Sequence, residues 1–517
     1  MHTHMFRHMF RTATFASALA ATLATGAAGQ ASELRVGFSA DALTLDPANH
    51  RNRETETIIR NMYDGVLTRD AKMAIVPELA ESFRQVDTTT YDFTIRQGVT
   101  FHDGSPMTAE DIKFTFDRLI LDNAMGGQTS PRKGLLGPLK EVTIVDPRTV
   151  RFILSAPWPI LPAMLPFQEV VSKAFVEKEG SAALATKVNG TGPFRLVDWR
   201  KGDSIVMERF DGYYGGATDI PPVGKACVDR VIFKVIPESA SRVAALLSGD
   251  VDIINELPAH AMNQVARNAN TAVVTVGGTR TNFVALNNTK PPFDNVLVRK
   301  AANHALDKKL IIDKILNGTA TPLNGELSPD AFAFKADLPE YAYDVAKAKA
   351  LLAEAGYPNG IDVTLDVEGP FKDTAEAIAS LLAKAGIRAR VEVGEASLLT
   401  KKWRQDKDKV GDMTLTSWGN GSLDPSDIAE PTLQTGGRGN SAGYANPKVD
   451  ELLVKASTEI DKAKRAAMYH EAQAIVNDEA PWIFLWLPQD IYGVSKRLSG
   501  WQPSADSRIN LHDACVK

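Results

Sequence analysis

The chain has 517 residues, a formal net charge of −5 from 58 basic and 63 acidic side chains, and only two cysteines. That length exceeds what one hydrophobic core fills and points to two or three domains. The mild, interspersed charge argues against a nucleic-acid-binding surface, and past the N-terminus no apolar run approaches the ~20 residues a membrane span needs.

The N-terminus has the form of an export signal. Arg7 and Arg11 make a positive start, and Phe15 to Ala28 is uncharged and rich in Ala and Leu. Gly29-Gln30-Ala31 places small residues for cleavage near Ala31. The apolar stretch is too short and too rich in Thr and Gly for a membrane anchor. No cysteine follows it, so a lipid anchor is not expected. Residues 1–31 are therefore read as a signal peptide, and the mature protein is expected free in the periplasm. Cys227 and Cys515 both remain after cleavage. An oxidising compartment favours a disulfide between them, with two unpaired thiols as the alternative.

Strands and helices alternate along the chain, the pattern of an α/β protein. Tyr91, Phe93 and Ile95 alternate with polar residues and predict a strand. From Phe101 the chain runs into an Asp103-Gly104 turn, with Thr108 placed to cap a helix and Asp111 as its capping-box partner. Ile112, Phe116, Leu119 and Ile120 then form one apolar stripe. Val150, Phe152 and Leu154 alternate as another strand. Arg230 to Ile236 is a β-rich run stopped by Pro237, Ser239 is expected to cap a helix through Leu247, Gly249 ends it, and Val251 to Ile254 returns as a strand. Such a strand-helix-strand unit predicts a parallel pair. Asp344 caps a predicted helix Val345 to Ala355, which Gly356 and Pro358 terminate. A strand from Ile361 to Val367, a helix from about Asp373 to Ala385 ended by Gly386, and a strand from Arg388 to Val393 follow. Neither a solenoid-period repeat nor a low-complexity linker occurs, so the domains are expected to exchange the chain more than once.

The block from Phe101 to Arg118 resembles, almost word for word, one found in the extracytoplasmic solute-binding proteins for peptides and nickel (family 5 of ABC transporters). Further blocks resemble that family in the same order: Leu43 to Pro47, Gly190 to Phe194, Asp211 to Gly216, Arg242 to Asp252, Val298 to Asp307, Ala348 to Pro358, Trp418 to Pro425 and Asn446 to Asp450. Tyr214 stands where the family has Trp.

The resemblance implies a two-lobed periplasmic-binding-protein fold of type II, in the large class with an extra inserted domain. By position, lobe I takes residues 32–50, 190–275 and 488–517, the inserted domain 51–189, and lobe II 276–487. Both cysteines then belong to lobe I, which strengthens the case for pairing. The implied function is the substrate-binding component of an importer. It would capture a small-molecule or short-peptide solute by lobe closure and pass it to an inner-membrane ABC permease and ATPase, acting as a monomer. A ligand sensor or a periplasmic chaperone is the alternative, and a secreted hydrolase the remote one.

In this family the loop starting at Trp418 faces the ligand. Trp418 is read as a wall or stacking surface, with a core aromatic as the other reading; Asn420 offers a neutral amide, and Asp424 before Pro425 reads as a turn residue. Peptide-binding members carry an Asp three residues after the Trp to pair with a peptide's α-ammonium. This chain has Gly421 there. An unpaired buried ammonium is costly, so a different ligand is expected: a nickel-chelate-like anion, an opine or other modified amino acid, or a sugar. Otherwise an acid from elsewhere substitutes, for which Asp41 is the candidate. Arg280, just before Asn282, is read as a carboxylate ligand at the hinge, with a solvated turn arginine or a structural hinge ion pair as the alternative, and Arg438 as a second, weaker cationic candidate.

Neither a Walker A loop nor a Cys-x-x-Cys occurs, and Gly190-Thr-Gly192 lacks a third glycine. His470-Glu471 starts like a zincin helix, but Ala474 stands at the second ligand position. Neither a cofactor nor a metal is expected. His304 and His470 are read as packing or surface residues.

Overall fold

The computed structural model describes residues 32–216 and 224–517. The signal-peptide reading of residues 1–31 lies outside the described residues.

A twelve-stranded mixed sheet organises the described chain. Its longest strand, Trp482–Ser495, belongs to both halves. The first part pairs with Arg280–Leu286 and Ala320–Pro322, and the second with Thr271–Gly277 and Ile253–Ile254. The switch falls at Pro488, whose carbonyl accepts from the Gly278 amide at 3.2 Å. The two halves therefore share backbone at the 277–280 connection and at Pro488-Gln489. These are the points where dihedral changes would swing one half against the other.

In one half, strand Glu33–Phe38 lies between Arg230–Val235 and Ile253–Ile254, parallel to both. The two strands predicted to pair directly are thus separated by the N-terminal strand. The short helix between them is right, but it runs Ser239–Ser248 with Glu238 as its N-cap, so Ser239 is its first residue and not its cap. Gly249 ends it in the left-handed region, at φ 82°. Leu34, Val36, Val231 and Phe233 are fully or almost fully buried in this half's core. That core also takes Ile58, Ile59, Met62 and Tyr63, and Val171, Val176 and Leu184, from the two ends of the 51–189 stretch.

The middle of that stretch has a core of its own around a four-stranded antiparallel sheet, Ala80–Asp87, Thr90–Ile95, Thr149–Leu154 and Leu139–Asp146. Helix Ala109–Ile120 packs on it, with the Phe116 and Phe152 ring centroids 4.7 Å apart. The Thr108 amide donates to Asp111 Oδ2 at 2.9 Å, the expected capping box. The Gly190-Thr-Gly192 block is explained by close approach, since a Cβ at either glycine would collide with the Met62 backbone.

In the other half, strands Ile361–Glu368 and Ile387–Gly394 run parallel, and Met413–Gly419 joins them to Arg280–Leu286. Both faces of this sheet are covered. Leu365, Ile378, Leu382 and Ile387 lie in one core, and Phe283, Tyr469, Trp482 and Phe484 in the other. Helices Val345–Glu354, capped by Asp344, and Lys372–Lys384 match the predicted positions within a residue. Cys227 and Cys515 form a disulfide, with Cα atoms 5.1 Å apart across a sequence separation of 288.

Candidate functional site

The candidate site is built where strand Met413–Gly419 ends beside the start of strand Arg280–Leu286. Gly419 is in register with Arg280, and Trp418 with Thr281. The side chain of Arg280 remains open to solvent, but protein surrounds it on most sides. Burial, reinforced by the Arg53 charge, lowers its pKa. A Cβ at Gly419 would stand 3.5 Å from Arg280 Nη2 and 3.6 Å from Arg53 Nη2. Two guanidinium groups thus converge beside Gly419.

Arg280 lines two cavities. One, of about 130 Å³, is bounded by Trp418, Ser417, Arg404 and Trp403, with Glu368 at its side. The other, of about 410 Å³, lies between Phe38, Arg53, Glu54, Glu256 and Asp490. The second has the size of an ordinary small-ligand pocket.

Trp418 is a core aromatic that also borders a cavity. It belongs to a core cluster, and its Nε1 donates to the Asp427 carbonyl at 2.8 Å. Its ring also borders the smaller cavity, with the guanidinium carbons of Arg404 and Arg438 at 5.2 and 4.7 Å from its centroid. Cations at such distances are attracted to the ring face. Burial lowers the Arg438 pKa, and so, to a lesser degree, do the charges of Arg51 and Arg404. Asp427, whose charge acts on Arg438, has its carboxyl raised by burial and partly restored by the Ser422 amide and hydroxyl.

The loop after Trp418 is docked against the first half of the molecule. The Asn420 amide donates to the Thr279 carbonyl at 2.8 Å, while its side-chain Nδ2 has no partner among the described residues. A Cβ at Gly421 would stand 3.4 Å from the Phe167 ring. Arg69 donates to the Ser422 carbonyl at 3.0 Å. Phe167 is itself flanked by Arg508 and Arg69, whose guanidinium carbons lie 4.8 and 5.9 Å from its centroid. Arg508 is anchored by Glu56 and Asp506, a buried ion-pair set that holds both carboxyls below their ordinary values. Asp424 is buried against Arg465 at 2.6 Å and caps Ser426, so it is structural as expected.

Two other candidates differ from expectation. Asn282 is buried inside its strand, opposite Ser417 and Trp486, and lines neither cavity. Asp41 is a correction: its carboxylate accepts from Trp199 Nε1 at 3.0 Å, the Gly202 amide at 2.7 Å and the Ala42 amide at 2.8 Å. It ties the 194–209 hairpin to the first strand and lines neither cavity beside Arg280. Arg53, Arg404 and Asp490 were missed from sequence. Asp490 did carry a signal, being the lone acid in the strand Trp482–Ser495.

A family profile for bacterial extracellular solute-binding proteins, family 5 (middle region), matches residues 74–440. The glutathione-binding protein GsiB of Salmonella typhi is 28% identical over 513 residues, covering 96% of this chain and 97% of that protein. Among solved structures, the DppA periplasmic binding protein of Helicobacter pylori in complex with the peptide STSA superposes with a TM-score of 0.78 at 27% identity, over 94% of this chain and 98% of the other. The binding protein AgaA from A.tumefacien R10 in complex with agropinic acid gives 0.74 at 28%, over 94% and 99%. The chain is a solute-binding protein with a two-lobed α/β fold, and it belongs to family 5 of the bacterial extracellular solute-binding proteins.

Proposed function

We propose that the protein captures a small, carboxylate-bearing solute between its two halves and delivers it to an inner-membrane ABC permease and ATPase. It works as a monomer in the periplasm, after removal of residues 1–31. The observation that carries this reading is Arg280, which borders both cavities and has Arg53 on one side and Arg404 on the other. Arginines crowded this closely raise one another's energy, and an anion between them relieves it. Glutathione and agropinic acid, named for two of the relatives, both carry carboxylates.

Capture works by closure. Arg69 and Phe167 from one half meet the 420–422 loop of the other, and contacts of this kind favour the closed state once a ligand bridges the halves. Binding stores no chemistry: the solute leaves unchanged. The test is calorimetric titration of ligand-stripped protein with carboxylate solutes and their amides. Glutathione or an opine acid is expected to bind, and the matching carboxamide to bind far more weakly. Equal binding of acids and amides would overturn the carboxylate reading.

A further inference from the structure

We propose that the 410 Å³ cavity takes a free amino-acid end of the solute, with Asp490 holding its ammonium and Arg53 and Arg280 holding the carboxylate on the same carbon. The smaller cavity at Trp418 then takes a second acidic group of the same ligand. This rests on the carboxylate reading above and adds the zwitterionic end to it.

Three observations carry the assignment. First, the loop position that would supply an acid carries none. Gly421 has no side chain, the Phe167 ring stands against it, and the neighbouring unpartnered group, Asn420 Nδ2, is a donor that cannot accept from an ammonium.

Second, Asp490 is an acceptor with capacity to spare. Its Oδ2 accepts from the Ser507 hydroxyl, while its Oδ1 accepts no hydrogen bond among the described residues and the residue lines the cavity. The other two acids there are differently placed. Glu54 accepts from the Asn52 side chain at 2.5 Å, and Glu256 reaches Arg242 at 3.5 Å with most of its side chain in solvent. Burial raises the Asp490 carboxyl, and the nearby Arg53 and Arg280 charges draw it back down.

Third, the acid and the guanidinium are set one hydroxyl apart. Arg53 Nη1 donates to Ser507 Oγ at 2.9 Å, and that hydroxyl donates to Asp490. An amino acid's two charges hang from one carbon, and a cation and an anion separated by a single hydroxyl match that spacing. Ser507 holds this place with φ 64°, a left-handed conformation unusual for a non-glycine residue. Such strain persists where the surroundings over-determine it, often around a ligand.

The chemical class follows. The solute ends in an unblocked α-amino acid and carries a further carboxylate some distance away, as a γ-linked glutamyl peptide does. The test is calorimetric titration of ligand-stripped, full-length mature protein with three probes: reduced glutathione, N-acetylglutathione and the des-amino analogue in which glutaryl replaces γ-glutamyl. Glutathione is expected to bind roughly tenfold or more tightly than either amine-deficient probe, as for a charge pair formed in a cavity. Asp490→Asn is expected to abolish that preference by bringing glutathione down to the level of the other two. Equal affinity of the three probes in the unmutated protein would overturn the ammonium assignment and leave the carboxylate reading standing. If none of the three binds, the γ-glutamyl assignment is overturned, and the carboxylate reading is decided separately by the opine acid and its amide.

Discussion

Phe167 stands against Gly421 across the two halves, so close that a Cβ at 421 would lie 3.4 Å from the ring. A Cβ there would make an ordinary van der Waals contact, and the carboxylate of an acid beyond it would have to find room beside a ring flanked by two arginines.

Restoring the acid is therefore expected to harm this protein. Gly421→Asp overpacks the contact, and overpacking costs about 1–3 kcal/mol. Because the strain falls on the closed state, solute affinity should drop roughly tenfold. The double variant Gly421→Asp with Phe167→Ala should recover part of that loss. Titration of the three proteins with one solute checks it, and unchanged affinity in the single variant would refute the contact's role.

Arg280→Met removes the charge that both cavities share. Truncating one side of an enclosed charge pair costs about 2–5 kcal/mol. Solute affinity should fall by roughly thirtyfold or more, and the effect should exceed that of Arg438→Ala, whose guanidinium carbon lies 4.7 Å from the Trp418 ring centroid. The melting temperature of the ligand-free protein should hold or rise, because Arg280 is crowded by Arg53. Calorimetry and a thermal scan of the same samples separate the two effects.

The disulfide closes a loop spanning 288 positions. In the chain-entropy model such a closure is worth about 5–6 kcal/mol. Thiol titration of denatured, unreduced protein should find no free thiol. Reduction, or Cys227→Ser with Cys515→Ser, should lower the denaturant midpoint with little change in solute affinity, since neither cysteine lines the two cavities. Two titratable thiols would contradict the pairing.

Stability should rise as pH falls from 8 towards 6.5. Burial pushes Glu169 and Glu326 up to about 7 and Asp64 up to about 6. For a carboxyl raised in the folded state, stability is fully present below its unfolded pKa and lost as pH climbs through the folded one. Below about 6.5 the buried His50 and His102, each lowered to about 4, act the other way, because the unfolded imidazoles take up protons first. The melting temperature should thus peak in mildly acid buffer. Glu326→Gln removes a carboxyl whose Oε2 has no partner among the described residues, and should raise the melting temperature at pH 8 while flattening the slope. An unchanged slope in that variant would remove Glu326 from the account.

What the sequence determined by itself is what acts over three or four residues. The Thr108–Asp111 box, the Asp344 cap and the glycines ending helices are i to i+4 effects, and the structure has them where the pattern puts them. The ordered run of family-like blocks carried the two-lobed α/β fold and the solute-binding role. Tertiary structure alone decided the rest. It sets strand 33–38 between two strands some two hundred residues further on, turns Asp41 into a hairpin tie, and places Phe167 against Gly421. It also gathers Arg53, Arg280, Asp490 and Ser507 around one cavity from segments far apart in the chain. A side chain's charge environment depends on what the fold packs beside it, and local propensity contains no record of such distant neighbours.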